Sequence, residues 1–352
     1  MNLYIRADAD SKIGTGHLMR CIALAQAWQD RRGNVTFISH CESEALRQRI
    51  IDEGFDFMPI ERPHPDPYDL SQTLLHLKHL SHFPFPISPV WLVLDGYHFD
   101  SDYQLNVKKT DNKLLVIDDM AHLPHYYADI ILNQNLHAND LHYVCEPYTR
   151  LLLGTKYVLL RREFLKWRGW KRQIQKVAKK VLVTLGGADP ENATLKVIQA
   201  LQLVNIDGLE AAVVVGASNP HYDELQRAVQ ASRLSIRLET NASNMPELMA
   251  WADFAVSAAG TTAWELMFMG LPALLTAAAD NQEPIARSVA DAGAAIWIDH
   301  KSAEWTQLLV ERVSQFSSDY ALRLEMSKKG KKLVSGKGCK RIISAMSQEV
   351  LV

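Results

Sequence analysis

The sequence predicts an α/β protein of two domains, each an open parallel sheet covered by helices. Three observations carry that reading. Short apolar runs alternate with amphipathic helical patterns along the chain, the rhythm that a parallel sheet buried on both faces requires. The same rhythm restarts near Lys180, after a segment of different composition. The length, 352 residues, exceeds one comfortable core and falls short of three, at roughly 100–200 residues per domain.

In the first half, Leu3-Tyr4-Ile5-Arg6-Ala7-Asp8 reads as a strand, followed by a glycine-containing loop and a helix from about His17 to Arg32. Leu18, Cys21, Ile22, Ala25 and Trp28 recur there at three- and four-residue spacing, and Gly33-Asn34 ends the pattern. Val35 to His40, Trp91 to Leu94, Leu114 to Asp118 and Ile130 to Leu132 are further strands. Pro63, Pro65 and Pro67, then Pro84, Pro86 and Pro89, mark two loops that interrupt any continuous helix.

In the second half Lys180 to Leu185 is a strand, Gly186-Gly187 turns, and Asp189-Pro190 starts a helix running through about Leu201. Strands at Ala211 to Val215, Ser235 to Leu238, Phe254 to Val256 and Ala273 to Leu275 follow. Helices are expected at Tyr222 to Val229, Pro246 to Trp251, from about Thr261, and over Glu283 to Ala292. From Ser302 onward the chain is helical by pattern, with Trp305, Leu308, Leu309 and Val313 on one face, and is expected to pack back across both domains.

Composition removes several functions. Hydrophobic residues make up 47% and charged ones 22%, an ordinary globular profile rather than a disordered one. A net charge of -2 argues against a nucleic-acid or anionic-membrane coat. No apolar run approaches a membrane span, and the start MNLYIRADAD lacks a signal-peptide pattern. Cys21, Cys41, Cys145 and Cys339 are scattered, as expected for thiols of a reducing compartment. The expectation is a cytoplasmic protein, monomeric, with no nucleic acid and no membrane insertion.

The charge is unevenly spread. Residues 161–180 hold nine basic residues against the single acid Glu163. The plain reading is a solvated linker or surface helix; the sharper one is an interdomain segment that favours an anionic ligand in a cleft.

Two loops can carry chemistry. Ser11-Lys12-Ile13-Gly14-Thr15-Gly16-His17 lies between the first strand and first helix, where glycines admit a close ligand and the helix end favours an anion. It fails as a dinucleotide fingerprint, because Arg20 falls near where a third glycine belongs. His17 follows the second glycine at the carboxyl end of a parallel strand, where α/β ligands bind, and a helix N-terminus disfavours a cation there. It is therefore the candidate general base. Ser257-Ala258-Ala259-Gly260-Thr261-Thr262-Ala263-Trp264-Glu265 repeats the strand–turn–helix arrangement with small residues and two hydroxyls. Glu265 is either a ribose-diol acceptor or the glutamate of a capping box begun by Thr262. Asp280-Asn281-Gln282 can present its amides or simply cap a helix. Two such turns, one per domain, suggest a ligand held from both sides.

Metal and serine-nucleophile readings are weaker. His76, His79 and His82 are spaced by three without a matching carboxylate or cysteine set and read as a solvated face. His122 and His125 follow Asp118-Asp119, acids more typical of loop orientation, and there is no Gly-x-Ser-x-Gly elbow.

Together these residues resemble a family. Arg6-Ala7-Asp8, Ile13-Gly14-Thr15-Gly16-His17 and Arg20-Cys21 are similar to the opening of the UDP-2,4-diacetamido-2,4,6-trideoxy-β-L-altropyranose hydrolases of pseudaminic acid biosynthesis. Those in turn are related to two-domain GT-B glycosyltransferases of the peptidoglycan GlcNAc-transferase type. The resemblance continues through Leu94-Asp95-Gly96-Tyr97, Ile117-Asp118-Asp119, Leu132-Asn133-Gln134-Asn135, Leu153-Gly154-Thr155-Lys156-Tyr157, Thr184 to Pro190, the Ser257 to Glu265 loop and Asp280-Asn281-Gln282. It covers nearly the whole chain.

The resemblance implies two Rossmann-like domains facing across a cleft: residues 1–160 with the catalytic histidine loop, a basic linker over 161–178, a UDP-binding domain over 179–335, and a helical tail over 336–352. It implies hydrolysis of the UDP-sugar to free sugar and UDP, with inversion, no cofactor and no metal, in the nonulosonic acid chemistry that serves flagellin glycosylation. His17, Tyr97 and Asn281 are then catalytic. Arg6, Asp8, Gly14, Thr15, Gly16, Gly187, Gly260, Thr261, Thr262, Glu265 and Gln282 are substrate-binding, with Glu265 matching a ribose-binding glutamate. Ala259 stands where many relatives carry glycine, and its methyl is expected to restrict the diphosphate's approach slightly. Two rivals remain, a UDP-sugar-dependent glycosyltransferase and a non-catalytic nucleotide-sugar binder.

Overall fold

In a computed structural model, which describes residues 2–10, 12–78, 90–187, 189–216 and 219–347, the chain divides into two compact units. Unit 1 comprises Met1–Arg162 and Lys337–Val352, and unit 2 comprises Glu163–Gly336.

Unit 1 is built on seven parallel strands: β1 (Asn2–Ala7), β2 (Asn34–Ser39), β3 (Asp56–Pro59), β4 (Trp91–Asp95), β5 (Lys113–Ile117), β6 (Ile130–Asn133) and β7 (Arg150–Leu153), in the order β3-β2-β1-β4-β5-β6-β7. β1 therefore lies between β2 and β4, and the strand order reverses beside it, the position where open α/β sheets bind ligands. The helices are α1 (Gly16–Gln29), α2 (Glu44–Asp52), α3 (Pro67–Lys78) and α4 (Ser101–Lys108). The apolar stripe expected on the first helix is buried, but so are Ala23, Leu24 and Gln26, because α1 also packs against a helix from the far end of the chain. It ends at Gln29, three residues earlier than its pattern predicts, in a turn where Arg32 adopts a left-handed φ of 61°.

Sequence reading passes over β3 and β7, the two edges, and over α2, α3 and α4. Pro67 opens α3 rather than breaking it, the first position being the one a proline tolerates. Pro84, Pro86, Pro89, His79 and His82 lie outside the described residues.

Unit 2 begins within a short helical turn, α5 (Arg162–Leu165), and carries six parallel strands: β8 (Lys180–Thr184), β9 (Glu210–Val215), β10 (Ser235–Thr240), β11 (Phe254–Ala258), β12 (Ala273–Thr276) and β13 (Ile296–Trp297). Their order is β10-β9-β8-β11-β12-β13. Helices α6 (Ala193–Leu203), α7 (Tyr222–Gln230), α8 (Met245–Trp251), α9 (Thr261–Met269), α10 (Glu283–Asp291), α11 (Trp305–Ser318) and α12 (Tyr320–Leu333) surround them. α13 (Gly338–Ser347) returns to unit 1, where Ile342, Ile343 and Met346 join the core under α1. Trp305, Leu309 and Val313 are buried as their spacing predicts. Asp189 reaches the start of α6 by accepting from Ala193 N at 2.9 Å and Thr194 N at 2.8 Å, whereas Pro190 stays in the preceding turn.

The basic segment is not a free linker. From Glu163 on it belongs to unit 2, and guanidiniums tie it down through carbonyls. Arg172 donates to Met249 O, Ala252 O and Met269 O, Arg168 to Gly336 O, and the buried Arg323 to Gln175 O at 2.6 Å. Arg162 instead holds the end of α1, donating to Gln29 Oε1 at 2.9 Å and Asp30 Oδ1 at 3.0 Å.

Candidate active site

The loop after β1 turns tightly because Asp10 Oδ1 accepts from Lys12 N and Ile13 N, while Gly14 takes a φ of +75° that side chains resist. Thr15 is the residue before α1 and makes no side-chain cap, so the first turn keeps its N–H groups unclaimed by that hydroxyl. His17 sits in this turn. Its Nδ1 lies 2.6 Å from Asp95 Oδ1, at the end of the neighbouring β4.

Asp95 is fully buried. Burial alone would raise its pKa, but Arg20 and His17 outweigh that and hold it well below the usual carboxylate range. An ionised carboxylate only accepts, so in the neutral ring the proton sits on Nδ1 and the lone pair on Nε2. Nε2 has no hydrogen-bond partner among the described residues.

A second carboxylate completes the cluster. Arg20 donates from Nε to Asp95 Oδ2 at 2.7 Å and from Nη1 to Asp119 Oδ2 at 2.6 Å. Tyr97 O–H donates to the same Asp119 oxygen at 2.7 Å, and Asn135 Nδ2 to Oδ1 at 2.7 Å. The Tyr97 ring meets His17 edge-on, with centroids 5.1 Å apart. β1, β4, β5 and β6 thus each deliver a group through the loop or helix that follows. His17 and Tyr97, both expected at the site, lie side by side. Asp95, Arg20, Asp119 and Asn135 lie in motifs that carry the resemblance, but none of them was given a site role from sequence. Their signal was an acid at the end of an apolar strand, repeated at β4 and β5.

Asp118, by contrast, serves the loop: it accepts from Met120 N, Ala121 N and Tyr126 O–H. His122 pairs with Asp118 at 2.9 Å and His125 with Glu146 at 3.0 Å, so the two histidines have separate carboxylates. Burial pushes the Cys21 thiol up, which leaves it unsuited to act as a nucleophile.

Arg6 and Asp8 depart from their expected role. Both are buried, Arg6 completely. Arg6 pairs with Asp8 and Asp69, while Asp8 also accepts from His40 N at 2.7 Å and His98 Nε2 at 3.0 Å. Neither is open to a ligand. They lock the ends of β1 and β2 from beneath, an arrangement whose stability depends on every partner staying in place.

In unit 2, Gly260 precedes α9 and no side chain caps that helix. Thr262 is the second helical residue, so it cannot begin a capping box with Glu265. Thr261 and Thr262 are half-buried in the first turn and Glu265 is buried. A Cβ built on Gly260 would lie 3.7 Å from Gln282 Nε2, which brings the turn and the Asp280–Gln282 segment side by side. Gln282 Oε1 accepts from Ala278 N at 2.9 Å, and Asn281 lies in the same turn. Ala259 is fully buried and its N–H donates to Thr276 O at 2.9 Å. Gly187 is fixed from behind: a Cβ on Gly216 would fall 2.3 Å from Gly187 O.

Two all-parallel sheets of these orders, one per unit, define the GT-B class of glycosyltransferase fold. The crystal structure of Acinetobacter baumannii MurG matches with a TM-score of 0.65 over 99% of both chains, at 14% identity. Residues 181–342 match the glycosyltransferase family 28 C-terminal domain. The chain is 26% identical over 348 residues to the spore coat polysaccharide biosynthesis protein SpsG of Bacillus subtilis, covering 98% of each. It is also 26% identical over 300 residues, 83% of this chain and 97% of the relative, to the UDP-2,4-diacetamido-2,4,6-trideoxy-β-L-altropyranose hydrolase of Campylobacter jejuni. Among the described residues no helix is long and apolar enough to cross a membrane.

Proposed function

We propose that the protein hydrolyses a UDP-sugar of the 2,4-diacetamido-2,4,6-trideoxy-β-L-altropyranose type to the free sugar and UDP. The observation that carries this reading is the His17–Asp95 contact at 2.6 Å, which leaves Nε2 as an unpartnered base at a ligand-binding strand end. In the proposed reaction Nε2 takes a proton from water as its oxygen attacks the anomeric carbon. The bond from that carbon to the diphosphate oxygen breaks, its electron pair leaving with UDP, and the anomeric centre inverts. Asp95 stabilises the imidazolium that forms. Tyr97, braced by Asp119, walls the imidazole and orients the sugar.

Unit 2 supplies the nucleotide site in this reading. The diphosphate lies over Gly260-Thr261-Thr262 at the α9 N-terminus, with Gly187, Asn281 and Gln282 from neighbouring turns and Glu265 toward the ribose. UDP is a good leaving group, so positioned water and stabilised phosphate charge matter more than strong acid catalysis. The 26% identity to the Campylobacter hydrolase supports water as the acceptor.

The family 28 match favours a second reading, transfer of the sugar to another acceptor. Incubation with the UDP-sugar alone separates the two. Hydrolysis releases UDP and free sugar at full rate, whereas a transferase releases little UDP until an acceptor is added. In heavy-oxygen water the label enters the sugar if the carbon–oxygen bond breaks. His17→Ala should lower turnover by about 10²- to 10⁴-fold with UDP binding intact; near-normal turnover would remove His17 from the mechanism.

A further inference from the structure

The basic segment borders an open pocket of about 710 Å³ within unit 2, lined by Trp170, Lys171, Arg172, Lys179, Lys180 and Trp251 among others. Lys180 and Glu210 begin β8 and β9, and Asp253 precedes β11. The cavity therefore opens at the amino ends of the strands, whereas Gly187 and Gly260 follow the carboxyl ends. It is a different place from the proposed nucleotide turn.

Its charge is not neutralised from within. Among the described residues none of Lys171, Arg172, Lys179 or Lys180 forms an ion pair with a carboxylate. The wall carries two acids, Glu210 and Asp253, against these four cations, and Asp253 accepts from Lys179 N at 2.8 Å and Lys180 N at 3.0 Å rather than from a cationic side chain. Arg172 is anchored by three carbonyls, at 2.5 Å to Met249 O, 2.6 Å to Ala252 O and 3.2 Å to Met269 O. Burial pushes its guanidinium down to about 10, with Asp253 the opposing influence. The guanidinium is thus a desolvated positive charge held by carbonyls, with no carboxylate in direct contact. The two indoles shield the cations: Arg172 and Lys331 stand over Trp170 at 5.0 and 5.5 Å, and Lys180 and Arg237 over Trp251 at 5.7 and 4.6 Å. Apolar walls around fixed charge strengthen its pull on an anion.

We propose that this cavity is a second ligand site, separate from the nucleotide turn, that binds a small oligophosphate anion. Its concave, solvent-open form suits a compact multivalent anion, with Lys171, Lys179 and Lys180 supplying mobile ammonium donors around the fixed Arg172.

The test is calorimetric titration of the whole protein with inorganic tripolyphosphate at low salt. Wild type should bind, more weakly as salt is raised. Lys171→Ala/Lys179→Ala/Lys180→Ala should weaken that binding by at least about tenfold, while Thr261→Ala/Thr262→Ala leaves it in place. Absence of binding by wild type, or unchanged binding by the triple-lysine variant, overturns the proposal. Lysine acylation mapped by mass spectrometry on the wild-type protein gives a readout that needs no variant. Tripolyphosphate should protect Lys171, Lys179 and Lys180 severalfold and leave Lys340, an exposed lysine of unit 1, unprotected. Equal labelling of all four with and without the anion overturns it as well.

Discussion

The two units share a parallel-sheet plan and treat charge in opposite ways. In unit 1 the carboxyl ends of the strands are crowded with buried ions: Arg6, Asp8 and Asp69 on one side of the switch point, and Asp95, Arg20 and Asp119, beside the half-buried His17, on the other. In unit 2 the corresponding ends are glycine, alanine and threonine, while its unpaired cations gather at the opposite edge of the sheet. A unit that holds a base in one orientation needs fixed partners around it. One that cradles a diphosphate needs exposed backbone N–H groups and little else. The difference teaches that a shared fold does not oblige its halves to share chemistry.

The sharpest way to break this comparison is Asp95→Asn. An amide can donate to Nδ1 and move the ring proton to Nε2, so turnover should fall by about 10²-fold or more while UDP affinity stays constant. Kinetics and UDP calorimetry on one preparation check both halves of that statement. Asp8→Asn comes next, because it strips one partner from a buried arginine. It should cost about 3–5 kcal/mol in urea unfolding. Burial would raise the Asp8 pKa, but His98, Arg6 and the His40 N–H bring it down to about 2. A lowered carboxylate stabilises the fold above its unfolded value near 3.8 and loses that contribution as pH falls toward about 2. Wild-type unit 1 should therefore fail across that window, and the variant's deficit should shrink there.

Gly216→Val tests unit 2 through backbone alone. Its side chain would collide with Gly187 O, costing about 1–3 kcal/mol and weakening UDP binding while the His17–Asp95 pair is untouched. Heteronuclear spectra of the histidine ring would report the latter. The smallest effect belongs to His122→Gln, expected below about 1 kcal/mol for a partly exposed pair. Its hydrogen bond to Asp118 raises the His122 pKa above 6.5. The stabilisation is complete below 6.5 and fades as pH rises through the raised value. The variant's deficit should thus be larger in mild acid than in mild base.

Much of this architecture was legible before the structure. Central strands, buried on both faces, announced themselves as continuous apolar runs, and His17 stood out at a strand-to-helix junction. The edges did not: Asp56-Phe57-Met58-Pro59 is half exposed and ends in proline, so it lacks the run that marks β4 or β5. The resemblance made Arg6 and Asp8 substrate-binding, and charge at a strand end looks alike whether it meets a ligand or another buried charge. Only the distant Asp69, on α3, decides between those. The Asp95–Arg20–Asp119 cluster joins residues up to 99 positions apart, beyond the reach of local spacing. The basic segment was visible as composition, but its anchoring through carbonyls has no sequence signature, since every residue carries one.

The return of α13 to unit 1 has a consequence for biogenesis. Residues 163–336 form a contiguous unit, whereas the helix bearing His17, synthesised before that unit, waits for a segment made after it to cover it. Until then the apolar surface destined for Ile342, Ile343 and Met346 is open to chaperones or to self-association. A chain stopped just before Gly338 would carry every residue of the proposed mechanism and still lack the support beneath its base.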